Sequence, residues 1–352
     1  MAPLRVTDDD PDGDWTAPGV YRCAPQVFRI PLPLPNDGLR AVNVYAIADG
    51  SGWTLIDSGW AIAAARERLA AGLAALGAGL GDVHRFLVTH VHRDHYTQAA
   101  ALRREFGMKV LLGRGEQQAF EEINRPGRRQ GGSVHIERLR RAGAPQLADE
   151  VAAYPLTPAD LSHWAAPDEW IENRAVIAIG ADASLRELVA IETPGHTRGH
   201  LVFADPAGDL LFAGDHVLPS ITPSIGFEPV PPASPLADFL VSLQLMRDRP
   251  DAALLPAHGR VGRRVHERVD ELLAHHERRL DTTMKAVAEG RTTAAEVAAS
   301  LTWTRRERAL AELDTFNAML AVLETSAHLD VLVERGVVSC ETTDGVVRYY
   351  CL

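Results

Sequence analysis

The chain is poor in cysteine, lysine, aromatic side chains and long apolar runs. Its three cysteines, Cys23, Cys340 and Cys351, have neither metal-type nor redox-type spacing, and an odd count excludes a complete disulfide framework. Reduced thiols and a cytoplasmic setting are the expectation. Lysine occurs only at Lys109 and Lys285, which with the alanine-rich texture reads as codon bias rather than function. No uninterrupted run of about 18 apolar residues occurs, so no membrane span is expected. Residues 1–14 are acidic and lack the apolar stretch of a signal peptide. Basic residues number 36 against 47 acidic ones, a net charge of −11, which excludes global attraction to nucleic acid or an anionic membrane. What remains is 46% hydrophobic and 24% charged over 352 residues, an ordinary globular composition. At roughly 150 residues per domain this is room for about two domains.

Along the chain, residues 1–20 read as an irregular lead-in rich in Asp, Pro and Gly. Short β-prone runs follow at 21–30, 42–47 and 53–56, then an alanine-rich helix over 61–76 and a strand at 85–89. A helix near 97–106 and a strand at 109–112 continue an alternation typical of mixed α and β structure. Residues 115–170 break the rhythm and read as a helical insertion. Strand character resumes at 175–179, 188–192, 200–204 and 209–213, followed by a proline-rich loop at 219–235, a helix at 236–248 and a strand at 253–255. From residue 263 a long charged helix runs towards 289. A short helix capped by Thr292 or Thr293 follows, then a longer helix over 305–335. Two β-prone runs flanking Thr343-Asp344-Gly345 form a hairpin signal. Helix, helix and hairpin make a winged-helix pattern, compact over about 275–352. The expected division is a lead-in at 1–20, a main domain at 21–262 and a linker helix with a winged-helix-like unit at 263–352.

The strand at 85–89 ends in Thr89-His90-Val91-His92-Arg93-Asp94-His95, which gathers four metal-competent side chains within six residues. Alternation lets His90 and His92 grip one ion, while Asp94 and His95, further on, face a neighbouring position. Three more candidates follow later strands: His196 in Pro194-Gly195-His196-Thr197, Asp215 in Ala213-Gly214-Asp215-His216, and His258 in Pro256-Ala257-His258-Gly259. Each adjoins a glycine, which lets the backbone turn sharply. Seven nitrogen and oxygen candidates without cysteine suit one or two divalent ions, zinc first, with iron or manganese as alternatives.

The string THVHRDH, followed in order by PGHT, AGDH and PAHG, resembles the metallo-β-lactamase-fold hydrolases over about residues 20–262. The resemblance implies an α+β fold, a four-layer αββα sandwich with the metals at one edge. It implies that His90, His92 and His196 bind a first metal, that Asp94, His95 and His258 bind a second, and that Asp215 bridges them. It also implies that Asp57, in the sequence Asp57-Ser58-Gly59, supports the site from outside. Hydrolysis by a metal-bridging hydroxide would follow, with Asp94 as the residue that orients or receives the water's proton, and with no organic cofactor.

His200 and His216 read mainly as supporting or packing residues, and Arg93 as one partner of a structural ion pair. His84, His135, His163, His266, His275, His276 and His328 lack ligand spacing. The presence of Asp215 disfavours antibiotic hydrolysis, because true β-lactamases resembling this fold generally lack a bridging aspartate there. The C-terminal segment is too short for the flavin domain of a flavodiiron-type oxidoreductase. The whole also resembles glyoxalase II-like thioesterases and a β-lactamase-like endoribonuclease, both of which carry a small C-terminal domain.

Charge separates these two. Residues 281–352 hold seven basic and eleven acidic residues, so a polynucleotide finds little phosphate neutralisation there. Between Arg125 and Arg141, by contrast, stand six arginines (125, 128, 129, 138, 140 and 141) against Glu137 alone, a local +5. As a lid, that segment would suit a small anionic acyl substrate; as a solvated helix face it would be balanced by Glu121, Glu122, Asp149 and Glu150. Phe227, Trp53 and Trp60 are candidates for an acyl pocket or for core. The leading expectation is a dinuclear metal hydrolase of an ester or thioester, such as a CoA or glutathione conjugate. The alternative is a metal-dependent endoribonuclease on single-stranded RNA, and a third reading is a binding module without catalysis. No membrane partner is expected, and homo-oligomerisation stays open.

Overall fold

Runs such as residues 86–88, 110–112 and 210–213 are apolar at every position, because both faces of their strands are covered. The computed structural model describes residues 4–35, 38–125, 133–153, 160–180, 185–304 and 306–352. Strands β1 (Val6–Asp8), β2 (Val20–Ala24), β3 (Val27–Pro33), β4 (Ala41–Asp49), β5 (Gly52–Ile56), β6 (Val83–Val88), β7 (Lys109–Gly113) and β8 (Glu169–Ile171) form one sheet in chain order. It is antiparallel from β2 to β5 and parallel from β5 to β8. Strands β9 (Val176–Ile179), β10 (Arg186–Glu192), β11 (Leu201–Asp205), β12 (Leu210–Gly214) and β13 (Ala253–Pro256) form the second, in the order β13-β12-β11-β10-β9.

Alternate side chains sort the core into layers. Leu55, Phe86, Val110 and Leu112 point outwards to helices α1 (Ala63–Ala75), α2 (Arg93–Phe106) and α3 (Gln117–Ile123). Ile56, Leu87 and Leu111 point inwards, against Phe203, Phe212 and Leu255 of the second sheet. Val202, Leu211 and Leu254 face a last layer built from α4 (Ser133–Arg141), α5 (Pro145–Ala153), α6 (Pro235–Arg247), α7 (Val265–Ala288), α8 (Ala294–Ser300) and α9 (Thr315–Glu334). The result is the four-layer αββα sandwich. One apolar cluster runs from the second sheet through α4 and α5 into α9 and Val338, so the C-terminal elements share a core with the sandwich.

Several boundaries differ from the sequence reading. The run 21–30 is two strands, broken at Pro25-Gln26, where Gln26 takes a positive φ of 62°. The lead-in contains a short strand, β1, paired in parallel with β2. Helix α2 begins at Arg93, so Asp94 and His95 lie in its first turn. The insertion is not peripheral: Leu139 and Ala148 are fully buried in the last layer. Helix α9 starts at Thr315 rather than 305, because β14 (Thr302–Trp303) and β15 (Arg308–Ala309) pair first and Asp314 then caps the helix by accepting from the Asn317 N–H. By length and composition α9 could cross a membrane, yet its Met319, Val322, Leu329 and Leu332 are buried against α7 and α8 in the shared core. The hairpin β16 (Val338–Thr343) and β17 (Val346–Cys351) turns at Asp344-Gly345, with φ of 51° and 79°, the positive pair a tight hairpin turn requires.

Candidate metal centre

Strands β10, β12 and β13 run in one direction, so the loops after their C-terminal ends share one edge of the sandwich with the loop after β6. His90 and His92 sit in the loop between β6 and α2, and Asp94 and His95 in the first turn of α2. His196 follows β10, Asp215 follows β12 and His258 follows β13. Two glycines make the approach possible. Gly195 has φ of +136°, and a Cβ there would lie 2.4 Å from that of Phe239. Gly214 has φ of +50°, and a Cβ there would lie 2.6 Å from His200 Nε2.

All seven predicted residues converge. Their donor atoms fall into three groups, His90-His92-His196, His90-His95-Asp215 and Asp94-His95-His258, each with its atoms within 4.8 Å of one another. His92 Nδ1 and His196 Nε2 are 3.0 Å apart. Asp215 Oδ2 is 3.5 Å from His196 Nε2, while its Oδ1 is 3.4 Å from His258 Nε2 and 3.7 Å from His95 Nε2, so one carboxylate faces both sides. Asp94 Oδ2 stands 3.5 Å from His258 Nε2 and 3.6 Å from His95 Nε2. Two nitrogens each ~2.1 Å from a tetrahedral ion would stand ~3.4 Å apart, so these separations fit shared cations.

The outer hydrogen bonds fix which nitrogen is free. Carbonyls and carboxylates only accept, so His92 Nε2 donates to Phe227 O (2.8 Å), His196 Nδ1 to Ser224 O (2.6 Å), His258 Nδ1 to Ala41 O (2.7 Å) and His95 Nδ1 to Asp57 Oδ2 (2.9 Å). The Thr89 hydroxyl donates to Asp57 Oδ1 (2.9 Å), leaving its oxygen to accept from His90 Nδ1 (3.0 Å). In its neutral form each of the five imidazoles therefore turns a bare nitrogen towards the centre. Nε2 of His90, His95 and His258 and Oδ1 of Asp215 are buried without a hydrogen-bond partner among the described residues. Lone pairs facing each other at 3.0 Å, as at His92 and His196, repel unless a cation or proton lies between them.

Protonation preferences divide the cluster. Burial, and then His95 and His92, hold the His90 imidazolium well below the ordinary histidine value; burial and His92 push His196 down to about 3. His95 moves the other way, to about 10: burial opposes the shift, but Asp57, Asp94 and Asp215 outweigh it. Burial likewise opposes the rise at His258, and Asp215 and Asp94 overcome it. Part of the cluster thus presents ready ligands, and the rest holds protons that a cation would displace.

Support reaches further than the sequence suggested. Asn43, fully buried, donates from Nδ2 to Pro256 O and Gly259 O, both at 3.0 Å, gripping the loop of His258 from either side. Its Oδ1 accepts from Arg29 Nη1 (3.0 Å), and Arg29 is locked to Asp9 by two bonds of 2.6 and 2.7 Å and to Trp15 O at 2.8 Å. The lead-in is therefore part of the site's scaffold. His200 accepts the Asp215 backbone N–H at 3.1 Å and pairs with Thr193 at 2.9 Å, a supporting role. Thr197 donates to buried Glu116. His216 packs on Phe239, 5.2 Å between ring centroids. Arg93 lies over the Trp60 ring at 4.3 Å, a cation–π contact. His276 and His328 pair at 3.2 Å, with His276 against Phe239, and neither belongs to the three ligand groups.

Of the described arginines in the arginine-rich segment, Arg138 is turned inwards and the others are exposed. Arg138 donates to Gly226 O (3.0 Å), Arg140 meets Asp149 (2.9 Å) and Arg125 meets Glu122 (3.2 Å), while Arg141 is exposed. Arg128 and Arg129 lie outside the described residues. The balanced reading thus describes Arg125 and Arg140 better than the lid does.

Comparison with known proteins follows the same lines. Residues 37–258 match the family model described as Metallo-beta-lactamase superfamily. A metallo-beta-lactamase family protein from Thermus thermophilus superposes with a TM-score of 0.73 at 26% identity, over 94% of this chain and 100% of that one. A beta-lactamase domain protein from Burkholderia ambifaria gives 0.77 at 28% identity, over 97% and 96%. Both alignments extend well past residue 258, into the C-terminal helices. Among curated proteins, the beta-lactamase-like protein 2 homolog of Caenorhabditis elegans is 32% identical over 124 residues, 35% of this chain and only 39% of that protein's length.

Proposed function

The chain belongs to the metallo-beta-lactamase superfamily, and from that premise we propose that it is a dinuclear metal-dependent hydrolase of an ester or thioester. Members of the superfamily are metal-dependent hydrolases that typically bind two metals, and the His/Asp clusters here are able to hold metal. We assign His90, His92 and His196 to one ion, Asp94, His95 and His258 to the other, and Asp215 to both. The observation that carries this assignment is the convergence of five ring nitrogens whose opposite ring atoms are all committed elsewhere. A donor set of imidazole and carboxylate without thiolate favours zinc, with iron and manganese as alternatives.

Two divalent ions held by these residues would supply a nucleophilic water at neutral pH and an electrophile for the substrate's acyl oxygen. The protein's share is orientation. Asp57 and Thr89 hold His95 and His90, and His200 fixes the backbone of Asp215. Asp94 has a side chain 15% exposed against 8% for Asp215, which supports a second role for it, accepting the proton of the attacking water on the open side. The C-terminal helices and hairpin are, in this reading, a winged-helix-like unit that shapes the site rather than one that binds nucleic acid.

Cleavage of single-stranded RNA would need cations along a strand path. Residues 281–352 supply seven against eleven acids, and Arg125, Arg138 and Arg140 are bonded internally. The test is a panel of acyl thioesters and p-nitrophenyl esters beside a single-stranded RNA, with metal-loaded and chelator-treated protein and with His92→Ala. Chelator-sensitive acyl cleavage, lost in His92→Ala without loss of fold, is the expected result. Cleavage of RNA alone, or full activity in the variant, would overturn the reading.

A further inference from the structure

The least buried of the seven residues are His92 and Asp94, with exposed Arg93 between them, so the centre opens to solvent on that side. The wall beside this opening is aromatic and comes from three distant parts of the chain. Phe227, in the loop before α6, accepts the His92 Nε2 hydrogen through its carbonyl and sets its ring 6.2 Å from the imidazole. His135 of α4 stacks on Phe227 at 4.7 Å with planes 15° apart. Phe316, in the first turn of α9, meets Phe227 edge-on at 5.5 Å and 90°, and is 46% exposed. We propose that Phe227, His135 and Phe316 form an acyl-binding wall, through which the C-terminal helix selects substrates with an apolar acyl chain. This rests on the hydrolase reading above for the identity of the reacting group.

The surroundings decide in favour of a neutral, apolar chain. The rim outside Phe316 is acidic: Asp314 caps α9, Glu312 accepts from the Ala309 N–H, and Glu150 meets the Thr315 hydroxyl at 3.4 Å. Arg138, one turn after His135 on α4, is spent on Gly226 O, Arg198 on Val230 O and Glu228, and Arg93 at the opening lies over the Trp60 ring. A polyanion would therefore meet like charge at this rim, whereas a methylene chain laid along the three rings displaces water from apolar surface without desolvating a charge. The contact between Phe227 and His92 ties the wall to the metal centre, so a chain lying on it would extend from an acyl carbon held there.

The experiment measures binding of acetate, hexanoate and decanoate to the metal-loaded full chain by calorimetry, and turnover of p-nitrophenyl acetate, hexanoate and decanoate, in wild type, Phe316→Asp and Phe227→Leu. Full burial of a methylene is worth about fourfold in affinity, and a one-sided wall about twofold, so decanoate should bind on the order of tenfold tighter than hexanoate. Phe316→Asp should flatten that dependence and lower the decanoate-to-acetate ratio of kcat/KM. Residue 316 lies in the first turn of α9, where an acidic side chain favours the helix, so the variant should fold. Phe227→Leu keeps bulk and loses the stacked ring, and should give an intermediate slope. Affinity independent of chain length in wild type, or an unchanged slope in Phe316→Asp, overturns the proposal. Chain-length-dependent binding without ester or thioester turnover would sustain the wall and overturn the hydrolase reading instead.

Discussion

Replacing Asn43 with alanine isolates one arm of the metal centre. The substitution removes three buried hydrogen bonds and strands the carbonyl of Gly259 and one N–H of Arg29, while Pro256 O keeps the Tyr45 hydroxyl at 2.7 Å. Each of these two stranded groups costs about 1–3 kcal/mol, so on the order of 2–4 kcal/mol is at stake after partial relaxation. The two carbonyls flank His258, whose own Nδ1 is held by Ala41 O two residues before Asn43. Loosening this loop should weaken the ion assigned to Asp94, His95 and His258 by about 10–100-fold, the usual effect of losing an outer partner. His90, His92 and His196 depend on Thr89, Phe227 and Ser224 instead, so the other ion should be held nearly as before. The assay is stepwise competition with a chromophoric chelator, alongside denaturant unfolding of the metal-free protein. Asp9→Ala serves as a comparison: it leaves Arg29 buried without its carboxylate, costs about 3–5 kcal/mol of stability, and touches the loop only through Asn43. Equal weakening of both metal steps in Asn43→Ala, or a loss of stability with both affinities intact, would refute this coupling.

Other consequences follow from the same contacts. Asp57→Asn replaces the acceptor of the His95 and Thr89 hydrogens with an amide and should lower metal affinity about 10–100-fold, read by the same chelator competition; unchanged affinity would remove Asp57 from the account. Glu116 and Glu228 are raised to about 7 and about 8, chiefly by burial. A carboxyl whose folded pKa is raised binds its proton more tightly in the folded state. Stability is therefore greatest below about pH 4.5 for these groups and declines as pH rises towards 8. Glu228→Gln should flatten that decline in melting temperature between pH 5 and pH 8, and an unaltered slope would contradict it. Gly195→Ala forces a Cβ to 2.4 Å from Phe239 at φ of +136°. It should destabilise the fold by more than about 2 kcal/mol in denaturant titration and shift His196; a neutral effect would mean that the loop is not held as described.

The parts legible in the sequence are those in which side chains carry the pattern. Strands buried on both faces leave uninterrupted apolar runs, and the ligand loops leave His, Asp and Gly in fixed order. Thr293 likewise announces α8 by its spacing to Glu296, and the two make a reciprocal cap. What stays hidden is carried by backbone atoms or by isolated polar residues. Phe227 O, Ser224 O and Ala41 O choose the histidine tautomers, and no side chain advertises a carbonyl. Asn43 sits alone within an apolar strand, and that is the one available signal, since a fully buried amide must be satisfied by something. Asp9 looks like part of an acidic tail until Arg29 supplies its partner. The start of α9 differs from the sequence reading because residues 305–314 have helical composition, yet Thr304 and Glu307 adopt positive φ to form the β14–β15 turn.

The central claim is that seven side chains hold two metal ions at one edge of the sandwich. Elemental analysis of the full chain after reconstitution with zinc, iron or manganese and removal of excess metal tests it most directly. The account predicts about two ions per chain in wild type, falling to about one in His258→Ala. A chain that takes up none of these metals, or one that retains both ions when His92 and His258 are replaced together, would contradict it.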